Sequence, residues 1–492
     1  MIPCASRRRK YLSRASNDFF ISVGDIIMAD SKEKHRGGIS RRQLLGSAVA
    51  AGAFTIVPSY VLGANGQKPP SEKLNIATIG AGGMGRNNTR RCADAGENIV
   101  ALCDVDDKKG APVYSEYPKA KTYKDFRKML ETEKNIDAVI VATPDHTHTV
   151  AAMMAIKMGK HVYCQKPLTR TVYEARKLTE AAREHKVVTQ MGNQGHSGEG
   201  IRLVCEWIWD GAIGPVREAH AWTNRPVWAQ GIDRPKDTPP VPAGMDWDLW
   251  IGPSPMRPYN PAYHPFAWRA WVDFGSGALG DMACHILDPA FWALKLKYPV
   301  SVEACSSTRM AGQEWEKVGV RETYPQASIV RYKFPAREGM PEVKVTWYDG
   351  GLMPPRPEEL EPGRRMAFGD PDGGVLFVGD KGKLMCGCYG SNPRLIPESR
   401  MQEYKRPAKT LPRIEEGTDG HEKNWIDACK GGPAANSNFE YSGPFTETVV
   451  MGNLALLNPY ELLEWDGEKM RFTNNDKANE FVKSPYREGW VL

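Results

Sequence analysis

The 492-residue sequence lacks several features that would each have pointed to a function. Its most apolar run, 44–57, covers 14 residues, whereas a transmembrane helix needs about 20. No stable membrane span is therefore expected. No CxxC unit occurs among the ten cysteines, and Cys386 and Cys388 stand too close together for the usual zinc hairpin. Without Cys4 the remaining nine form no obvious disulfide framework. There is no internal repeat, no coiled-coil heptad and no basic nucleic-acid patch. The body also lacks any charge excess. The formal +6 is the difference between 65 Lys plus Arg and 59 Asp plus Glu. Residues 1–64 hold ten of the bases and four of the acids, so residues 65–492 carry 55 of each sign. The positive balance belongs to the leader and argues for no acidic partner. A hydrophobic share of 41% with 25% charged residues excludes wholesale disorder and a membrane bundle. The length allows two or three domains.

The leader, residues 1–66, reads as an export signal. Ser40-Arg41-Arg42-Gln43-Leu44-Leu45 opens an uncharged stretch from 43 to 66, and Gly63 and Ala64 are small residues suited to cleavage. The paired arginines point to the twin-arginine route and a periplasmic or otherwise exported destination.

After the Gly/Pro-rich linker 63–70 the pattern becomes alternating strand and helix. The apolar run 74–79 enters Gly80-Ala81-Gly82-Gly83-Met84-Gly85, a G-x-G-x-x-G. The first glycine permits the tight turn, the second lets backbone approach a pyrophosphate, and the third lets helix pack on strand. A second strand, 98–103, ends at Asp104, placed to accept from ribose hydroxyls and to repel a 2′-phosphate. That favours NAD over NADP; Asp106 competes for the ribose role. Further strands are expected at 138–142, 161–164 and 187–191, with helices at 123–133, 149–158 and 172–185. The rhythm predicts an α/β fold whose parallel sheet is wound on both faces, with ligand at the carboxyl ends of the strands. Thr143, Pro144 and His148, then Gln165, Lys166 and Pro167, fall at such ends. The Rossmann-type domain is placed at 73–195, an α+β substrate domain at 196–460, and a tail packing on both at 461–492.

In the second domain, a glycine-rich approach leads to Asp281 and His285. At i and i+4 on a helix they share one face. An imidazole with a pKa of about 6.5 is suited to general-base work near neutral pH. An ammonium beside an oxygen stabilises developing alkoxide charge. No grouping has metal-ligand spacing, so no metal is expected. Asn193 and His196, at the end of the first domain, are candidate substrate contacts or members of a connecting loop. Six of the fourteen tryptophans lie in the proline-rich stretch 222–271, together with Tyr263 and His264. Their aromatic faces suit sugar C–H surfaces, and equally suit anchoring a long loop to the core.

The ordered set Gly80–Gly85, Thr143-Pro144 with His148, Lys166-Pro167 and Asp281-x-x-x-His285 resembles the Gfo/Idh/MocA family (glucose–fructose oxidoreductase, inositol dehydrogenase and rhizopine catabolism) over about residues 73–460. The resemblance implies a Rossmann domain followed by an α+β domain with a largely antiparallel open sheet. It implies hydride transfer between NAD(P) and a carbinol carbon of a carbohydrate or cyclitol, and oligomers are common among such proteins. Lys166 would then sit beside nicotinamide and substrate hydroxyl, Asp281 would orient substrate, and His285 would carry the proton. The chain departs from the family in having Gln165 where Glu is usual, and Asp145 where many relatives have Asn. Two other functions fit the same residues. One is a glycosidase or lyase using tightly held NAD in a transient oxidation, distinguished by sugar release without net NADH. The other is a non-catalytic sugar- or NAD-binding protein, distinguished by binding without turnover.

Overall fold

The computed structural model describes residues 72–311, 316–318, 321–366 and 373–492. The twin-arginine signal and its cleavage region lie outside the described residues.

The first domain contains β1 (Asn75–Ile79), β2 (Asn98–Cys103), β3 (Lys121–Tyr123), β4 (Ala138–Val141), β5 (His161–Cys164) and β6 (Thr189–Met191), all parallel, in the order β3-β2-β1-β4-β5-β6. The central strands β1, β4 and β5 are largely apolar, as a sheet covered on both faces requires, and β4 is buried at every position, whereas the edge strand β3 exposes Lys121 and Thr122. Helices α1 (Met84–Asp94), α2 (Asp107–Glu116), α3 (Phe126–Thr132), α4 (Asp145–Lys157) and α5 (Val172–His185) make the crossovers. Side chains set the starts of three of them: Asp106 caps α2, Asp125 caps α3, and Thr171 with Glu174 forms a reciprocal capping box on α5. The strand order reverses between β1 and β4, so a crevice opens at the carboxyl ends of those strands.

Two differences from the sequence expectation matter for the site. Helix α4 starts at Asp145 rather than 149, because Pro144 occupies the cap position and pre-sets the turn. Helix α2, which the sequence reading did not anticipate, carries Pro112 and Gly110 in a short, strongly polar stretch.

The chain crosses to the second domain through α6 (Glu199–Trp209) and β7 (Val216–Thr223). Then come α7 (Gly277–Ile286), α8 (Asp288–Ala293), β8 (Ser301–Ser306), the small hairpin β9 (Arg309–Ala311) and β10 (Glu316–Val318), β11 (Ser328–Phe334), β12 (Val343–Tyr348), β13 (Gly373–Gly379), β14 (Gly382–Gly387) and β15 (Arg394–Ile396). Helices α9 (His421–Cys429) and α10 (Phe439–Leu457) precede β16 (Leu463–Asp466) and β17 (Arg471–Phe472). The nine-stranded sheet runs β15-β14-β13-β7-β12-β11-β8-β16-β17. Only β7 and β12 pair parallel; every other described neighbour is antiparallel. The expected α/β class, a doubly wound parallel sheet followed by a largely antiparallel one, is the fold observed.

Helix α10 runs from Phe439 through Gly443 and Pro444 to Leu457. Gly443 is needed there because a Cβ would lie 2.0 Å from Thr179 Oγ1 on α5. The tail reaches the first domain: Tyr486 donates to Glu174 at 2.7 Å, and the Arg127 guanidinium lies 4.5 Å over the Trp490 ring. Among the described residues, no helix is long and apolar enough to cross a membrane.

Candidate active site

The glycine loop opens the crevice. Gly80 turns at φ +79°, and a Cβ there would lie 2.7 Å from the backbone of Ala142 and Thr143. At Gly85 a Cβ would meet the Gly80 carbonyl at 2.0 Å, so helix α1 can pack on β1 only through glycine. Gly83 caps α1 without any side-chain hydrogen bond, and the first turn, beginning at Met84, contains no acid. Gly85 N–H donates to the Gly82 carbonyl at 3.0 Å, and the other N–H groups of that turn are available to an anion. Gly82 N–H donates to Asp104 Oδ2 at 2.8 Å, and Asp106 N–H donates to Asp104 Oδ1 at 3.0 Å. Burial pushes the Asp104 carboxyl up to about 6, opposed by these two donors. Each oxygen keeps a lone pair for a ribose hydroxyl. Asp106 is engaged otherwise: Oδ1 caps α2, and Oδ2 lies 2.8 Å from His264 Nε2. The loop, the open helix end and Asp104 fit a dinucleotide.

At the end of β4, Thr143 and Pro144 lead into α4, where His148 is buried. Its Nε2 lies 2.8 Å from the Thr143 carbonyl and its Nδ1 2.9 Å from that of Pro167. Burial lowers the ring to about 4, so it is neutral at physiological pH, and its single N–H donates to one of these two carbonyls. Gln165 and Lys166 stand on the second of these turns. Gln165 Nε2 donates to Asn88 on α1 at 2.9 Å.

Lys166 joins the domains. Its Nζ donates to Asp281 Oδ1 at 2.8 Å and to the Asp281 carbonyl at 2.7 Å. Arg269 Nε stands 3.4 Å from the same Oδ1. Burial alone would raise Asp281, but the Lys166 and Arg269 cations outweigh it and hold the carboxyl down at about 2. One helical turn on, His285 is buried with Nδ1 unpartnered and its ring edge-on to Tyr389 at 5.0 Å. Burial, followed by the Lys166 charge, holds His285 neutral, at about 3. Asp145, fully buried nearby, is pushed the other way by burial, up to about 7. The cleft therefore unites Lys166, Asp281 and His285 with an ammonium, a fixed carboxylate and a neutral imidazole.

The other substrate candidates are occupied. Asn193 Nδ2 donates to Asp288 Oδ2 at 3.1 Å, and His196 Nδ1 lies 3.0 Å from both Asp288 oxygens with its ring stacked on Trp292 at 4.3 Å. Tyr441 donates to Asp288 Oδ1 at 2.5 Å. The carboxylate is a buried hub that satisfies these groups internally. Tyr263 is in the aromatic cluster of Trp228, Trp247, Trp250, Trp268, Trp271 and Phe274, edge-on to Trp271 at 4.7 Å. The tryptophans of this stretch largely anchor the loop; Trp222 alone packs elsewhere, on the second sheet. His264 reaches Asp106 from that loop.

Sequence reasoning missed Arg269, Tyr389 and Glu422. Arg269 lies among aromatics, its guanidinium 4.2 Å over Trp268, and nothing in its spacing announces Asp281 as a neighbour. Tyr389 sits at φ 62° in a short turn and packs against Gly195, where a Cβ would lie 2.3 Å from its ring. Among the described residues, no three His, Cys, Asp or Glu side chains could hold a metal ion.

Residues 74–193 match an oxidoreductase family with an NAD-binding Rossmann fold, and residues 216–329 match that family's C-terminal alpha/beta domain. Levoglucosan dehydrogenase of Pseudarthrobacter phenanthrenivorans is 25% identical over 229 residues, 44% of this chain and 50% of that protein. Inositol 2-dehydrogenase of Serratia proteamaculans is 31% identical over 158 residues, 31% of this chain and 47% of that protein. The chain thus spans about half the length of the curated relatives it matches. In fold it is similar to the WlbA dehydrogenase of Bordetella pertussis, solved with NADH and UDP-GlcNAcA, at TM-score 0.54 and 16% identity, covering 80% of this chain and 99% of that one.

Proposed function

The chain belongs to the Gfo/Idh/MocA oxidoreductase family, and from that premise we propose that it is an NAD-dependent oxidoreductase transferring hydride between nicotinamide and a carbinol carbon of a sugar, glycoside or cyclitol. The observation that carries this reading is the junction of Lys166 Nζ with Asp281 Oδ1 at 2.8 Å, one helical turn from the unpartnered Nδ1 of buried His285. The substrates named for the relatives, levoglucosan and inositol, belong to the same substrate class.

The glycine loop 80–85, Asp104, Thr143, Pro144 and Gln165 would hold NAD, which when bound supplies the hydride acceptor or donor. Two of the three Lys166 ammonium protons are held by Asp281; the third is left to donate to a substrate oxygen and stabilise its developing charge. Asp281, pinned between Lys166 and Arg269, stays ionised and fixes the direction of that ammonium. His285, kept neutral by burial, accepts the hydroxyl proton, and the charge it gains faces the Asp281 carboxylate.

The test is to assay purified protein for NAD and then for hydride exchange with a panel of polyols, sugars and glycosides deuterated at carbinol carbons. Bound NAD with exchange is expected, and Lys166→Ala or His285→Ala should lower turnover by about 10²–10⁴-fold. Bound NAD with no exchange from any polyol would sink the proposal.

A further inference from the structure

Behind Gln165 runs a buried chain of three side chains drawn from distant parts of the sequence. Gln165 Nε2 donates to Asn88 Oδ1 at 2.9 Å, and Asn88 Nδ2 donates to Glu422 Oε1 at 2.6 Å. The three come from the β5 turn, α1 and α9, and their residues are 7%, 2% and 4% exposed. Gly192 leaves room for the Gln165 amide, since a Cβ there would lie 2.6 Å from Nε2. Burial pushes Glu422 up; the Asn88 donor and the Arg91 guanidinium, 4.0 Å from Oε2, oppose that rise.

The direction of this chain follows from chemistry. An ionised carboxylate can only accept. Asn88 must therefore turn its NH₂ to Glu422 and its oxygen to Gln165. Gln165 must then spend its NH₂ on Asn88, leaving Oε1, which takes no hydrogen bond among the described residues. Without an obligate acceptor at the far end, both amides could rotate by half a turn, and Gln165 would present N–H as readily as C=O.

We propose that Glu422 is a positioning residue of the cofactor site: acting through Asn88, it fixes Gln165 with Oε1 presented as an acceptor to the nicotinamide-riboside half of NAD, beside Lys166. This rests on the NAD-dependent reading above.

Titration calorimetry of NAD against the full-length wild type, Glu422→Gln and Asn88→Ala tests it, with Gln165→Glu introduced into each background. Glu422→Gln and Asn88→Ala should each weaken NAD binding about five- to tenfold, the worth of one misdirected hydrogen bond. Gln165→Glu should restore affinity to within about threefold, because a carboxylate at 165 offers an acceptor whichever way it turns. A residue that merely anchors α9 would lower thermal stability without such rescue. Affinity unmoved in both Glu422→Gln and Asn88→Ala, or lost without rescue by Gln165→Glu, overturns the proposal. Should Glu422→Gln fail to fold, the Asn88→Ala pair carries the test alone. A wild type with no affinity for NAD refutes the underlying reading instead, and that is seen before any variant is compared.

Discussion

Asp145 and Asp281 are carboxyls of one cleft driven in opposite directions. Asp281 has Lys166 at hydrogen-bond distance and Arg269 behind it, so it is held at about 2. Asp145 has burial without a partner of that kind and rises to about 7. A folded value above the unfolded one means that the neutral carboxyl's contribution is complete below the unfolded value, about 3.8. It is then lost as pH rises through the folded value, at about 1.4 kcal/mol for every pH unit in between. Asp145→Asn, which cannot titrate, should therefore match the wild type in melting temperature near pH 4 and melt several degrees higher at pH 8. Calorimetry at the two pH values measures this; equal differences at both would mean that Asp145 is ionised throughout. Lys166, Asp281 and His285 were legible in the sequence because motif order and an i,i+4 spacing carry them. Asp145 was legible only as a departure from Asn. Arg269 was not legible at all, since its approach to Asp281 depends on how a 50-residue loop folds over the cleft.

That loop shows what is gained and lost at the scale of elements. Its tryptophans were visible, but their partners were not, because aromatic residues that bind sugar and those that fill a core have the same composition. In the structure Trp247 and Trp250 stack at 4.6 Å and most of the set is buried. The loop also docks on the adenosine end of the first domain: Asp246 N–H donates to the Val105 carbonyl at 2.8 Å, Asp107 N–H to the Gly244 carbonyl at 3.1 Å, and His264 meets Asp106 at 2.8 Å. His264 is the one side chain of these contacts whose removal leaves the cap of α2 intact. His264→Ala should loosen the loop, releasing NAD about three- to tenfold faster and exposing the chain after Lys236 to trypsin. Rapid gel filtration of the NAD-loaded protein and a timed digest read the two effects. Unchanged release with unchanged cleavage would show that the backbone contacts hold the loop by themselves.

At the scale of the whole molecule, the sequence implied two domains in succession but not how thoroughly they are sewn together. Helix α10 runs from one to the other: Arg176 of α5 clasps Glu447 of α10 through two bonds at 2.7 and 2.8 Å, and Thr179 donates to the Phe439 carbonyl at 3.2 Å. Periodicity could reveal the apolar end of α10, whereas its first nine residues start from the Asn438 cap, which accepts from Glu440 N–H at 3.0 Å, and pack on α5. Asp288 of the second domain accepts from Asn193 and His196 at the end of the first and from Tyr441 of α10. Removing this carboxylate leaves three buried polar groups without their acceptor, a loss of about 3–5 kcal/mol if the site cannot rehydrate. The cost falls on the junction rather than on either core. The wild type should accordingly unfold in a single calorimetric transition. In Asp288→Ala the transition should move down and separate, with NAD raising only the component that contains the first sheet, by the mass-action term of about 2.7 kcal/mol at a hundredfold excess over Kd. A wild type that already melts in two steps would mean that the hub contributes little to coupling, and a variant that still melts in one step would assign the coupling to α10 and its Arg176–Glu447 pair.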